Sequence, residues 1–177
     1  MQERKTAVNM PTTLRGIANR AKRDRKAHFG GLYRLLNEET LKWCFYQLRK
    51  SAATGVDGVS FDEYEANLDE NVADLVERLK KNRYRAKLVR RKWIPKAGGK
   101  LRPLGIPALE DKLLQVAVAR ILESIYEGDF LDVSWGYRRE RGARTASRVL
   151  AGKLASSRCA WVVEADIRGF FDRLDHD

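Results

Sequence analysis

A long stretch of this 177-residue chain contains basic residues and no acidic ones. It lies between Glu77 and Glu110 and holds twelve lysines and arginines, with Tyr84 and Trp93 interleaved among them. Arginine offers a forked set of donors and lysine a compact charge, and both match phosphate oxygens. Solvated basic faces are usually interrupted by acidic residues, whereas this stretch is not. We therefore favour phosphate binding over an unpartnered basic surface.

A second candidate is a pair of acidic residues at the end of the apolar run C159-A-W-V-V-E-A-D166. The run is typical of a buried strand, on which Glu164 and Asp166 share one face. Buried carboxylates are costly unless they are paired or hold a metal ion, and an aspartate at the end of a core strand suits Mg²⁺. The alternative is that Asp166 caps the following turn. Spacing alone favours this alternative.

A third segment, L101-R-P-L-G-I-P-A-L-E-D-K-L-L-Q115, joins a rigid turn to a strong helix. Two prolines and a glycine restrict the turn. Glu110 and Asp111 fall in the first helical turn, where the helix dipole favours acidic side chains. A well-capped structural helix explains this segment without a substrate. His28 and His176 show no partner in the pattern and are interpreted as surface residues.

Composition narrows the class of protein. Apolar residues make up 44% of the chain, enough for a packed core, and the formal net charge is +11. Such a charge favours the binding of polyanions, of which nucleic acid is the first candidate and an anionic membrane surface the second. The two cysteines are far apart, and no apolar run reaches the roughly 18 residues of a membrane span. The composition predicts a soluble, cytosolic protein.

The elements that must position these residues follow from periodicity and turn signals. Helical spacing starts at Leu32 and can be interrupted at Asn37 or Thr40, and a glycine-containing loop covers residues 51–60. The remaining predicted elements are a helix at 61–81, a β-hairpin of 87–94 and 101–106, helices at 110–127 and 143–156, and a strand at 159–166. On the helix at 110–127 the residues expected to face inward are Leu114, Ala117, Val118, Ile121, Leu122 and Ile125. On the helix at 143–156 they are Ala146, Val149, Leu150 and Leu154.

Four segments stand in a familiar order: W93-I-P-K-A-G-G-K-L-R-P-L-G-I-P107, D111-K-L-L-Q115, S134-W-G-Y-R138 and V163-E-A-D-I-R-G-F-F-D172 with His176. This arrangement resembles the amino-terminal half of a bacterial group II intron-encoded reverse transcriptase, also called a maturase. The loop G55-V-D-G58 resembles the region before the first polymerase block. The resemblance covers residues 32–177.

The resemblance implies an α+β fold: helix-rich fingers with a β-hairpin, plus the first strand of a right-hand polymerase palm, which is incomplete. It places residues 32–158 in the fingers and residues 159–177 at the start of the palm. Residues 1–31 precede the resemblance, and their polar, basic composition is typical of an extension that forms a solvated arm, with nucleic-acid contact as the sharper alternative. Asp166 would be the first catalytic carboxylate and would bind both Mg²⁺ ions of a two-metal site. The Ile167 carbonyl would help to hold the nucleotide-bound metal.

The same resemblance implies a site for the incoming deoxynucleoside triphosphate. Lys96 and Arg102 match residues of the fingers that grip the triphosphate, and Arg90 would assist them. The backbone of Gly169 and Phe170 would lie along the phosphates. Phe171 matches the aromatic residue that packs under the sugar and excludes a 2′-hydroxyl group.

The implied partners are an RNA template, an intron RNA, a DNA primer and the nucleotide, in the cytoplasm of a bacterium and without a membrane. A homodimer formed through the free edge of the palm strand is a further expectation. The sequence ends eleven residues after Asp166 and contains no aromatic-x-Asp-Asp block, so this chain alone is expected not to polymerise DNA. The alternatives are a non-catalytic RNA-binding module, or a reverse transcriptase of a retron, a diversity-generating element or a CRISPR or phage-defence system.

Overall fold

The computed structural model describes residues 10–96, 98–99, 101–156, 161–170 and 173–175. In chain order the elements are α1 (Thr12–Arg23), a short 3₁₀ helix (Leu32–Leu35), α2 (Glu38–Phe45), α3 (Phe61–Ala66), α4 (Leu68–Lys80), β1 (Arg90–Pro95), β2 (Leu101–Ile106), α5 (Leu109–Tyr126) and α6 (Ala143–Ala155). The described part of the chain is therefore helix-rich with one antiparallel hairpin, which confirms the predicted α+β class. None of its helices, including the 18-residue α5, is both long and apolar enough to cross a membrane.

The chain divides into two compact units, one ending at Phe130 and the other starting at Leu131. The two units are defined by which residues pack together, not by function. The three functional segments expected from the sequence stay a prediction.

Helices α2 to α4 form one side of the core of the first unit, and their ends follow from local caps. The Asn37 side chain accepts a hydrogen bond from Thr40 N at 3.0 Å and starts α2. Ser60 and Glu63 form a reciprocal capping box that starts α3. The helix predicted at 61–81 is divided at Asn67, where the backbone leaves the helical conformation. The rings of Phe45 and Phe61 stack inside, with their centroids 4.3 Å apart.

The amino-terminal segment takes part in this core. Helix α1 packs against α5, and its Leu14 and Ala21 side chains are buried. Just after the carboxyl end of α5, Gly128 lies close to α1: a Cβ on this glycine would lie 3.3 Å from the backbone of Ala21. The interpretation of residues 12–23 as a solvated arm is therefore wrong, because the apolar side of α1 is covered.

Helix α5 has the predicted bounds to within one residue, and its predicted inward face is correct at Ala117 and Ile121 but wrong at Val118 and Leu122. Leu113, Ala117 and Ile121 are buried, whereas Val118 and Leu122 are 40% and 42% exposed. The helix is apolar around much of its circumference, so its periodicity does not select one face. Packing against α1 and α2 makes that selection.

The hairpin pairs β1 with β2 in the predicted way. Trp93 lies opposite Pro103 and Ile94 opposite Arg102, and side chains alternate between the two faces. We call one surface the Arg102 face; its members are Arg90, Lys92, Ile94, Arg102, Leu104 and Ile106. We call the other the Trp93 face; its members are Arg91, Trp93, Pro95, Leu101, Pro103 and Gly105. In the turn, Gly98 and Gly99 have φ angles of 81° and 74°, which glycine adopts without strain.

The base of the hairpin is held by the loop at residues 51–60. A Cβ built on Gly55 would lie only 2.4 Å from Ala108 Cα and 2.6 Å from Ala108 N, so only glycine allows this approach. Asp57 forms an ion pair with Lys87 at 3.0 Å. These contacts join the loop to the segment entering β1 and to the start of α5.

We expect Gly55→Ala to lower the free energy of unfolding by about 3 kcal/mol, because the added methyl group meets backbone atoms that cannot rotate away. Chemical denaturation followed by circular dichroism measures this change. Gly16→Ala is the matched control: its methyl group meets nothing within 4 Å and removes a glycine from the interior of α1. The control should be unchanged or up to about 1 kcal/mol more stable. Equal stability of Gly55→Ala and Gly16→Ala would contradict the packing described.

The second unit contains a loop, α6 and an extended segment. Arg138 Nη1 donates to the Leu131 and Ser134 carbonyl oxygens, each at 2.9 Å, and Arg141 donates to the Asp132 carbonyl oxygen at 2.6 Å. Helix α6 has no buried residue, and Val149, Leu150 and Leu154 are 39%, 53% and 41% exposed. The prediction that these side chains of α6 face inward is therefore wrong within the second unit, because no described residue of that unit covers them.

The strand predicted at 159–166 is also wrong over its described part. Residues 161–166 have no strand structure, and Trp161 and Val163 are 89% and 90% exposed. A strand needs hydrogen bonds from a neighbour, and among the described residues only β1 and β2 pair. Residues 159 and 160 lie outside the described residues.

Candidate functional site

The twelve basic residues between Glu77 and Glu110 divide into two groups in the structure. Most of the basic residues that precede the hairpin form ion pairs. Arg78 makes a two-pronged contact with Glu110, at 3.0 and 2.7 Å, and a further ion pair with Asp74 at 2.7 Å. Lys81 and Arg83 pair with Glu77, and Lys87 pairs with Asp57. These cations stabilise the scaffold.

The cations of the hairpin are different. Arg90, Arg91, Lys92, Lys96 and Arg102 are all exposed, and none has a carboxylate within ion-pair distance among the residues that the structure describes. Lys100, the sixth basic residue of the hairpin, lies outside those residues. Five unneutralised charges therefore share one small hairpin, and each keeps its donors available to a ligand.

The structure brings two of the predicted nucleotide-binding residues together. Arg90 and Arg102 lie on the same face of the hairpin, and Lys96 directly follows β1 at the turn. Lys92 stands between Arg90 and Ile94 on this face and was missed in the sequence analysis. The sequence could have identified Lys92, because residues two apart on a strand share a face and Lys92 is two residues after Arg90.

A buried carboxylate positions the segment that enters the hairpin. Asp111 is 3% exposed and accepts hydrogen bonds from the Tyr84 hydroxyl and from Lys87 N, the latter at 3.1 Å. Burial, and then the hydrogen bond to Asp111, raise the pKa of Tyr84 far above its usual range, so it stays a donor. Glu110 and Asp111 lie in the first turn of α5 as predicted, and both contact other elements of the scaffold. The helix is not capped by a side chain, because its N-cap residue, Ala108, makes no such hydrogen bond.

Lys112 adds charge near the base of the Arg102 face. Its ammonium group donates to the Ala53 carbonyl oxygen of the loop. Burial lowers the pKa of Lys112, repulsion from Arg90 lowers it further, and Asp57 opposes both effects.

The other predicted site residues belong to the second unit. Asp166, Ile167 and Phe170 are exposed, at 70% for Ile167 and 47% for Phe170, and Gly169 has a φ angle of 64° in the following turn. Phe171 lies outside the described residues. Within the part of the chain that the structure describes, no three His, Cys, Asp or Glu residues cluster as a metal site. The described residues therefore supply too few donors to hold a pair of divalent ions by themselves.

Comparison with known proteins adds to this geometry. Residues 94–177 match the family described as reverse transcriptase (RNA-dependent DNA polymerase). The chain is 39% identical over 150 residues to the group II intron-encoded protein LtrA of Lactococcus lactis subsp. cremoris, which is 84% of this chain and 25% of that protein. Residues 94–177 therefore belong to the reverse transcriptase family, and most of the chain is similar to a group II intron-encoded protein.

Two further relatives agree with this assignment. Protein YkfC of Escherichia coli K12 is 40% identical over 125 residues, 69% of this chain and 33% of that protein. An uncharacterized 91 kDa protein in the cob intron of Schizosaccharomyces pombe is 30% identical over 143 residues, 81% of this chain and 18% of that protein. The chain thus spans about a third or less of the curated relatives that it matches.

The family match includes some of the candidate site residues and leaves others out. It begins at Ile94 in β1 and therefore includes Lys96, Arg102 and Asp166. Arg90 and Lys92 precede it. Their place in the candidate site rests on the hairpin register alone.

Proposed function

We propose that this chain supplies the fingers and the beginning of the palm of an RNA-directed DNA polymerase of the group II intron type. The observation that carries the proposal is the set of five unpaired hairpin cations, three of which share the Arg102 face. Lys96 and Arg102, assisted by Arg90, bind the triphosphate of the incoming deoxynucleotide. Charged donors placed in advance stabilise negative charge that develops during phosphoryl transfer.

The second unit supplies the first catalytic carboxylate in this proposal. Asp166 and the Ile167 carbonyl are ligands for Mg²⁺, and the remaining ligands come from outside the described residues. Two Mg²⁺ ions held there would supply Lewis-acid activation of the primer hydroxyl group by one ion and charge stabilisation of the leaving pyrophosphate by the other. The backbone of Gly169 and Phe170 lies along the phosphates, and Phe171 packs under the sugar.

The proposed partners are an RNA template, a DNA primer and an intron RNA whose splicing the complete protein assists, in the bacterial cytoplasm. A homodimer belongs to the same proposal. The second candidate function is RNA binding without catalysis. The hairpin cations favour it equally, because they can bind phosphates without any contribution from Asp166.

The common part of both functions is tested by salt dependence. The affinity of the chain for a single-stranded RNA should fall with salt with a logarithmic slope of about −3.5 if all five hairpin cations neutralise phosphates. Replacing Arg90, Lys92 and Arg102 together by alanine should make the slope less negative by about 2. Fluorescence anisotropy with a labelled oligonucleotide at several salt concentrations measures both.

A matched triple variant removes the same charge elsewhere. Lys42, Lys50 and Lys81 already form ion pairs with Asp69, Glu65 and Glu77, so their replacement by alanine should leave the slope nearly unchanged. A flat salt response of the unaltered chain would exclude nucleic-acid binding by the hairpin. Equal changes of slope in the two triple variants would show that net charge, not the Arg102 face, governs affinity.

A further inference from the structure

The Trp93 face of the hairpin is apolar and uncovered in the first unit. Trp93 is 53% exposed and Leu101 60%, and their partners across the hairpin are Pro103 and Pro95. Two prolines, a leucine and an indole ring therefore form a continuous exposed platform. At one end, Val89 covers Gly105: a Cβ on that glycine would lie 3.1 Å from Val89 Cγ2. Exposed apolar surfaces of this kind generally mark interaction sites.

The charges around the platform narrow the choice of occupant. Arg91 lies on the same face, next to Trp93 but one step towards the base, and has no acidic partner among the described residues. The sequence from Arg78 to Leu109 contains no acidic residue. A second copy of the hairpin would bring like charges together, which disfavours self-association through this face. An aromatic ring beside unpaired arginines suits a strand that carries both bases and phosphates.

We infer that the Trp93 face binds an unpaired segment of RNA, with a base stacked on the Trp93 indole and a neighbouring phosphate on Arg91. This inference rests on the proposed function, because the RNA template of such a polymerase is unpaired where it has not yet been copied. In the complete polymerase the Arg102 face binds the triphosphate of the nucleotide, and without a nucleotide its cations are available to RNA phosphates. The Trp93 face binds template bases. Stacking explains why an indole ring remains exposed at this position.

The test compares two RNA strands of equal charge. One is a fluorescein-labelled 12-residue oligouridine, and the other has the same sugar–phosphate backbone without bases. Trp93→Ala in the 177-residue chain should weaken binding of oligouridine by about tenfold, the order expected for the loss of one stacked base. Its binding of the abasic strand should change by less than about twofold, and Trp93→Phe should retain most of the affinity for oligouridine, because phenylalanine also stacks.

Trp161→Ala is the matched control, since Trp161 is 89% exposed and lies in the second unit. It should leave both affinities unchanged. The inference is overturned if Trp93→Ala binds oligouridine as the unaltered chain does, or weakens both strands equally. It is also overturned if the variant instead changes the sedimentation coefficient, since that would make the face a contact between copies. In each case the salt-slope result of the Arg90, Lys92 and Arg102 triple variant decides separately whether the Arg102 face binds phosphates, and the Asp166→Asn result decides whether the chain serves a polymerase.

Discussion

Asp166→Asn is expected to reduce primer extension by on the order of 10³-fold in a complete reverse transcriptase that contains this segment, while RNA affinity stays unchanged. Asparagine keeps the shape of aspartate but lacks the negative charge that a divalent cation requires from this position. Asp166 is exposed in the segment 161–170, so the substitution buries no new group and should not unfold the protein. Extension of a labelled primer on an RNA template and anisotropy with the same RNA measure the two effects.

Glu164→Gln provides the control for this experiment. Glu164 is also exposed and lies two residues earlier, and its replacement removes the same charge. Extension should then remain within a few-fold of the unaltered enzyme. Equal losses in the two variants would mean that the general acidity of this segment, and not Asp166, supports catalysis. Normal extension by Asp166→Asn would favour the RNA-binding module over the polymerase.

Arg102→Ala and Lys96→Ala should each lower kcat/KM for the nucleotide by on the order of 10²-fold in the same complete enzyme. Both side chains are exposed cations of the hairpin with no acidic partner among the described residues, so their loss removes ligand contacts without disturbing the scaffold. Steady-state kinetics at varied nucleotide concentration, with template and primer saturating, measure this effect.

Arg83→Ala is the corresponding control, because Arg83 is exposed outside the hairpin and pairs with Glu77 at 3.7 Å. Nucleotide kinetics should be unaltered in this variant. Lys96→Arg should recover part of the lost kcat/KM, since the charge returns with a different donor geometry. If neither Arg102→Ala nor Lys96→Ala changes the kinetics, the Arg102 face does not bind the nucleotide.

Much of the local structure could be predicted from the sequence. The hairpin, α5 and α6 occur within a few residues of their expected bounds, because turn glycines, capping residues and apolar spacing act over short distances. Asn37 ends one helical segment and caps the next through its own side chain. The strand at 159–166 failed for the opposite reason: strand formation depends on a partner, and apolar composition does not provide one.

The chemistry of the candidate site was visible in the sequence as well. The acid-free stretch indicated phosphate binding, and the resemblance of the four ordered segments implied a reverse transcriptase, with which the family match over residues 94–177 agrees. Residue type and order were sufficient, because the family is defined by the functional groups it presents and by their sequence along the chain.

Tertiary structure decided which of these charges are available. Arg78 and Arg102 are alike in the sequence, yet Arg78 is bound by Glu110 from a helix 32 residues later, while Arg102 has no acidic partner in the described part of the chain. Likewise, burial of Asp111 under Tyr84 and the close approach of Gly55 to Ala108 depend on segments distant in the chain. Ion pairing, burial and the choice of helix face are set by long-range contacts, whereas propensity, capping and residue chemistry are set locally. The sequence by itself therefore determined which functional groups the chain carries and which local elements it forms. Tertiary packing determined which of those side chains are buried or ion-paired and which are available to a ligand.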